Sequence, residues 1–259
     1  MGYNKAIITG NLIEIFEYEK NLPDPTGTSL KRRQNALRKQ NIFIGGEDSL
    51  RGDIVARRPD HARRASMGFR RLVSSNLGRG ERPVLLTLTY AENITDIRRA
   101  YADFTDFIKV LRYRFGKGFS YVCVPEFQKR GAIHFHSLCW GLPSQLWLQE
   151  RKSRTVAGLW QKGFIYFKET DGDQKISSYL AKYMAKAFLD PKLKNQKAYV
   201  SSRNLIRPKI LSGISPLWPI LEDNGVVEKS LLQEKSYMTQ WLGKGRYRQF
   251  NIKNEYAKI

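Results

Sequence analysis

Between residues 83 and 190 the spacing of apolar side chains changes period several times, and each change marks an element. Val84 to Tyr90 (VLLTLTY) alternates apolar residues with threonine in a β-rich run, as a strand does. From Thr95 to Phe115 the period lengthens. Ile97, Tyr101, Phe104, Ile108 and Leu111 recur at helical spacing, with Thr95 or Asp96 as cap and Gly116 as stop. Phe119 to Phe127 and Ala132 to Trp140 are two further β-rich runs, and the polar turn Gln128-Lys129-Arg130-Gly131 between them makes a hairpin. A helix follows from about Ser144 to Gln161, capped by Pro143-Ser144, and then a short strand from Gly163 to Lys168. After the Asp171-Gly172-Asp173 turn, Lys175 to Phe188 is helical and ends before Asp190-Pro191. The order strand, helix, hairpin, helix, strand, helix predicts an α+β domain, an antiparallel sheet with helices packed on it.

Outside this stretch the pattern is weaker. Asn21 to Thr28 (NLPDPTGT) is a loop by its Pro and Gly content. Pro59-Asp60 can open a helix, and on that helix Arg57, Arg64 and Arg71 share one face. Such a row suits phosphates, and it equally describes a solvated helix face. Lys192 to Ile259 is broken up by Pro208, Pro216 and Pro219; its Trp218, Trp241 and Tyr247 either cap the domain or touch nucleic acid. The expected organisation is a basic region over 1–82 with an arm or helices suited to phosphate contact, a core over 83–190, and an extension of unassigned role over 191–259.

Composition narrows the class. The chain has 259 residues, 45 Lys and Arg against 24 Asp and Glu, a formal charge of +21, and 41% hydrophobic residues. That is enough apolar material for one sizeable domain, or one domain with arms. No run of 18 apolar residues occurs, and Met1 to Thr9 lacks the apolar segment and cleavage site of a secretory signal, so neither a membrane-spanning nor an exported protein is expected. Cys123 and Cys139 are the only cysteines and form no C-x-x-C pair, which excludes disulfide scaffolds and zinc ribbons and fits a reducing cytosol. So large a positive charge repels itself unless a polyanion screens it, which points to nucleic acid or an anionic surface.

Two constellations carry chemistry. His134 and His136 flank Phe135 in one strand, so both imidazoles project to the same face. A hairpin turning about Arg130 sets Glu126 opposite His134. Two imidazoles and a carboxylate on adjacent strands form a divalent-metal site with open positions for substrate oxygens. Paired strand histidines also occur as plain core or surface residues; the matched carboxylate favours the metal. In Ser178 to Lys186 (SYLAKYMAK), Tyr179 and Tyr183 lie one helical turn apart, and Lys182 and Lys186 repeat that spacing. Ile176, Leu180, Met184 and Ala187 make the apolar stripe, with Tyr183 at its edge and Tyr179 further round toward the lysines. A tyrosine that attacks phosphorus needs exposure and a nearby cation, and Tyr179 meets the exposure condition better. The same spacing also describes two aromatics extending a core stripe.

Taken in order, Leu86-Thr87-Leu88-Thr89-Tyr90, then Glu126 with His134-Phe135-His136, then Tyr179-Leu180-Ala181-Lys182-Tyr183 resemble the three motifs of the HUH endonuclease superfamily. The similarity is greatest to rolling-circle replication initiators of small single-stranded DNA phages and plasmids, the two-tyrosine class, and it covers about Pro83 to Ala187. The resemblance implies a ferredoxin-like or RRM-like antiparallel sheet with flanking helices, the histidine strand at its centre and the tyrosine helix laid against it. It also implies Glu126, His134 and His136 as ligands of Mg²⁺ or Mn²⁺, Tyr179 and Tyr183 as nucleophiles, and Lys182 and Lys186 as their accompanying lysines. The strand Leu86 to Tyr90 would line the DNA approach. Arg57, Arg64, Arg71, Lys129 and Arg130 are the candidate DNA contacts by charge. No G-x-x-x-x-G-K-[ST] occurs, so the helicase domain of some relatives is absent from the sequence.

The implied activity is nicking and rejoining of single-stranded origin DNA through a 5′-phosphotyrosyl bond in rolling-circle replication. A host helicase and polymerase are the implied partners, and the cytoplasm of a bacterial host the implied location for a phage or plasmid protein. A relaxase or a single-strand transposase would use the same site, and a non-catalytic nucleic-acid-binding protein could carry the same sheet with structural histidines. In every case the dispersed Lys and Arg predict steeply salt-sensitive binding. The logarithm of the affinity for single-stranded DNA should fall linearly with the logarithm of salt concentration, measured by titration at rising NaCl.

Overall fold

A computed structural model describes residues 4–20, 58–78, 82–142, 155–170, 176, 179–181, 183, 186, 190–193, 196–213, 230–240 and 242–252. Its strands are β1 (Asn4–Thr9), β2 (Leu12–Tyr18), β3 (Val84–Tyr90), β4 (Ser120–Phe127), β5 (Ile133–Trp140), β6 (Gly163–Glu169), β7 (Val200–Ser201), β8 (Lys209–Gly213), β9 (Leu231–Thr239) and β10 (Gly243–Asn251). The helices with full bounds are α1 (Arg58–Ser74), α2 (Ile97–Phe115) and α3 (Thr155–Trp160). The architecture is α+β, with two antiparallel five-stranded sheets, as the alternating periods predict. No described helix is long and apolar enough to cross a membrane.

One compact unit holds the sheet β6-β3-β5-β4-β7. After β3 the chain crosses through α2 and returns as β4, leaving between them a gap that β5 fills by hairpin return. The histidine strand is therefore central. The turn closes through Gln128 N–H donating to the Ala132 carbonyl at 2.8 Å and Gly131 N–H to the Gln128 carbonyl at 2.9 Å. Gly131 supplies the positive φ of 91° that this tight reversal needs. β4 and β5 pair with Glu126 opposite His134, and β3 and β5 pair with Thr87 opposite His136 and Thr89 opposite His134.

α2 begins where the Asp96 carboxylate accepts from the Arg98 N–H at 2.9 Å and ends at Gly116, whose N–H reaches the Arg112 carbonyl. Its buried residues, Ile97, Ala100, Phe104, Phe107, Ile108 and Leu111, form one stripe. Phe104 sits 4.9 Å from Phe135 and 5.5 Å from Tyr121 between ring centroids. β6 is anchored at its start: the Trp160 indole N–H donates to the Thr89 carbonyl at 3.1 Å, and Lys162 pairs with Asp103 at 2.9 Å. Gly163 is required there, because a Cβ would lie 2.2 Å from the Thr89 carbonyl oxygen.

The other unit contains most of the sheet β8-β1-β2-β10-β9, built from both ends of the described chain. Arg248 pairs with Glu17 at 2.9 Å, Tyr247 donates to Glu14 at 3.1 Å, and Phe16 packs on Tyr247 at 5.1 Å. The sequence pattern predicts no strands here. β9 and β10 (LLQEKSYMT, GKGRYRQFN) lack a two-residue apolar period; they pair with each other as a hairpin, and β10 also joins β2, so backbone pairing rather than an apolar pattern makes them strands. Of the helix expected over 144–161, the described part is α3; Trp218 and Trp241 lie outside the described residues.

Phe135 is fully buried against α2. Phe135→Ala should cost about 3–5 kcal/mol of folding stability, and Phe135→Leu much less, measured by urea unfolding.

Candidate active site

Because side chains alternate across a strand, burying Phe135 on the α2 side turns His134 and His136 to the other face of β5. Glu126 of β4 shares that face. The diagonal contact is the closer one, with Glu126 Oε2 lying 2.7 Å from His136 Nε2. His136 Nδ1 in turn meets the Thr87 hydroxyl at 3.3 Å. A neutral imidazole that donates from Nε2 to the carboxylate and accepts at Nδ1 from Thr87 satisfies both contacts.

The tyrosines arrive from a helix whose described residues are 176, 179–181, 183 and 186. Leu180 is fully buried and Ala181 nearly so, which seats this helix on the sheet. Tyr183 stacks on His136 with centroids 3.9 Å apart and planes 22° from parallel. Tyr179 is 38% exposed, and its hydroxyl lies 2.8 Å from that of Tyr183. The exposure difference expected from the helical wheel is present. Lys186 Nζ reaches Glu126 Oε1 at 2.5 Å. An unbroken chain of contacts thus joins Tyr179, Tyr183, His136, Glu126 and Lys186.

The ionisation pattern follows from burial and these contacts. Burial pulls His134 and His136 below the usual imidazole range, and the hydrogen bond to Glu126 only partly offsets this for His136. Burial would raise Glu126, but hydrogen bonds from Lys186 and His136 together hold it below the usual carboxylate range. Tyr183 is pushed up to about 12, first by its hydrogen bond with Tyr179 and then by burial, so it keeps its proton.

His134 Nε2 is buried and has no hydrogen-bond partner. An unpartnered ring nitrogen of this kind, a second neutral imidazole and an anionic carboxylate are the donor chemistry that suits a divalent cation. Among the described residues no three His, Cys, Asp or Glu side chains stand at metal-holding spacing, and the Glu126 carboxylate is engaged by His136 and Lys186. The residue types, rather than their present spacing, fit a cation.

The remaining expected residues distribute differently. Arg57 and Lys182 lie outside the described residues. Arg64 and Arg71 are on α1, half-buried and engaged with other groups. Lys129 is exposed at the hairpin turn. Arg130 instead braces the turn, donating from Nη2 to the Tyr90 carbonyl at 2.7 Å and from Nε to Gln128 Oε1 at 3.0 Å. Sequence reasoning missed Thr87 as the partner of His136; only the β3–β5 register reveals it. It also placed Lys186 beside the tyrosines without seeing that its partner is Glu126.

Acid should unfold this site. The unfolded histidines take up protons near pH 6.5 while the folded ones resist, so stability falls as pH drops through 6.5 toward their lowered folded values. The Glu126 contribution is complete above pH 4.5 and lost as pH falls through its lower folded value, in the same direction. Without divalent metal, the Tm should therefore decline from pH 7 to pH 4, and His134→Asn, His136→Asn together should flatten the upper half of that decline.

No curated protein and no solved structure matches the chain. Residues 83–188, less than half of it but spanning β3 through the tyrosine helix, match the family described as Replication-associated protein ORF2/G2P. Over those residues the chain is similar to replication-associated proteins.

Proposed function

We propose that this protein initiates replication by nicking single-stranded origin DNA through tyrosine transesterification, and that it rejoins ends by the reverse reaction. The observation that carries the proposal is the contact chain from two adjacent phenols to an imidazole, a carboxylate and a lysine. Two phenols, side chains able to act as nucleophiles, lie close to residues whose chemistry suits a cation, and this supports the reading. The family match to replication-associated proteins supports the biological setting.

Tyr179, the more exposed phenol, attacks phosphorus, with Tyr183 donating to its oxygen and holding the ring in place. A tyrosyl O–P bond forms and the P–O3′ bond breaks. The electron pair goes to the departing 3′-oxygen, which gains a proton as the phenol loses one. A divalent ion held by Glu126, His134 and His136, Mg²⁺ or Mn²⁺, would supply charge neutralisation at the phosphoryl oxygens and ease departure of the 3′-oxygen. Thr87 keeps the His136 ring oriented. Lys186, 68% exposed at its side chain, presents a cation beside the carboxylate where the phosphate must come. The phosphotyrosyl product is still a phosphodiester, so a 3′-hydroxyl reverses the step without ATP. Tyr183 serves a second cleavage while the first end remains attached. The freed 3′-hydroxyl primes a polymerase, and a host helicase would expose further template.

His136→Ala should lower the nicking rate of an origin oligonucleotide by about 10²-fold or more in Mg²⁺ or Mn²⁺, with unchanged nicking contradicting the proposal. Tyr179→Phe should slow the first cleavage more than Tyr183→Phe. A covalent adduct on denaturing gels that persists in the double Phe variant would rule out both tyrosines. No adduct from the wild-type chain with any single-stranded oligonucleotide pool would leave a binding protein.

A further inference from the structure

Two of the most exposed large apolar residues stand together on β6: Phe164 is 72% exposed and Tyr166 62%. Folding gains little from rings left in water, and their neighbours Ile165 and Phe167, on the opposite face, do pack against the core. The register shows where the exposed rings point. Phe164 pairs with Thr89, which pairs with His134, which pairs with Glu126. Tyr166 pairs with Thr87, which pairs with His136. Directly paired antiparallel residues share a face, so both rings lie on the face that carries the candidate site. They sit two strand spacings, about 10 Å, from the histidine strand. The half-buried Thr87 and Thr89 form a polar floor between them. Exposed Lys168 continues the same row of alternate β6 residues.

We infer that Phe164 and Tyr166 form a stacking platform for unpaired bases of a DNA strand whose backbone runs over the Thr87 and Thr89 floor toward the tyrosines. Alternate strand residues lie about 7 Å apart, roughly twice the 3.4 Å rise per nucleotide of stacked DNA. Successive bases, unstacked from one another, can therefore each take one ring. Aromatic faces accept any base, and the adjacent lysine and the chain's charge of +21 suit the phosphates between them. A protein partner fits less well, since lysine is depleted at protein interfaces. The platform deepens the nicking proposal by naming what holds the strand beside the site, and it rests on that proposal for its purpose.

The test is fluorescence anisotropy of the full chain with a labelled single-stranded oligonucleotide of mixed sequence and with its duplex, at fixed salt. Phe164→Ala, Tyr166→Ala together should weaken single-strand binding about ten-fold or more, leaving duplex binding and the salt slope unchanged because no phosphate contact is lost. Phe164→Trp, Tyr166→Trp should retain affinity; Phe164→Leu, Tyr166→Leu, apolar but not planar, should behave like the alanine pair. Tyr166→Trp alone should show fluorescence quenching on adding oligo(dT) beyond that of the wild type. Unchanged affinity in the alanine pair, equal loss on duplex, full binding by the leucine pair, or absence of quenching would each overturn the platform. A change of oligomeric state in the alanine pair would assign the rings to a second copy and overturn it too. Failure of the two proposals is distinguishable. Ring-dependent binding without any covalent adduct removes the nicking chemistry and keeps the platform, whereas wild-type adduct levels with ring-independent binding do the reverse.

Discussion

Phe135 stands between two histidines on one strand, and its ring can be buried against α2 only in the register that turns both imidazoles to the opposite face. A slip of one residue would drive His134 and His136 into the aromatic cluster of Phe104 and Tyr121 and expose Phe135 to water. The desolvation of two polar rings and the loss of a fully buried phenyl both oppose that slip. The hydrophobic core thereby holds the candidate site in register. The same constraint fixes Glu126, which can oppose His134 only if the hairpin turns where Gly131 and the Arg130 brace make it turn.

Within this frame the electrostatics are local and opposite to the overall charge. A chain of net +21 places a half-buried carboxylate at the centre of its candidate site. Burying that carboxylate would be costly alone; Lys186 and His136 offset the cost from two sides. Both imidazoles stay neutral because burial disfavours their charge, and neutral imidazole is the form that can act as a ligand or hold a tautomer. The tyrosine helix completes the arrangement by packing rather than charge: Leu180 anchors it, Tyr183 lies flat on His136, and Tyr179 is left at the solvent edge.

Sheet order then sets what surrounds the site. β6 follows β5 in sequence but pairs with β3 on the far side, so Thr87 and Tyr166, 79 positions apart, become neighbours. That crossover leaves one edge strand facing the site with two exposed rings. α3 and the Trp160 indole, bonded to the Thr89 carbonyl, hold this edge from the other face.

Local pattern was sufficient for much of this molecule. The periods of 83–140 identified β3, α2 and the hairpin almost to the residue, because strand alternation and helical spacing are nearest-neighbour properties that burial merely reads out. The pairing of Glu126 with His134 was legible for the same reason, since a tight turn fixes register within a few residues. Other features depended on contacts between distant segments. The second sheet draws on both ends of the described chain, with polar strands that no periodicity marks. Thr87 meets His136, and Lys186 meets Glu126, only because β3 and the tyrosine helix fold onto β5. Arg130, basic and in a turn, reads as a phosphate contact from sequence and braces a backbone carbonyl in the fold. The chemistry available here was written in residue types and short spacings; which side chains touch, and which are left facing water, was decided by packing across long loops.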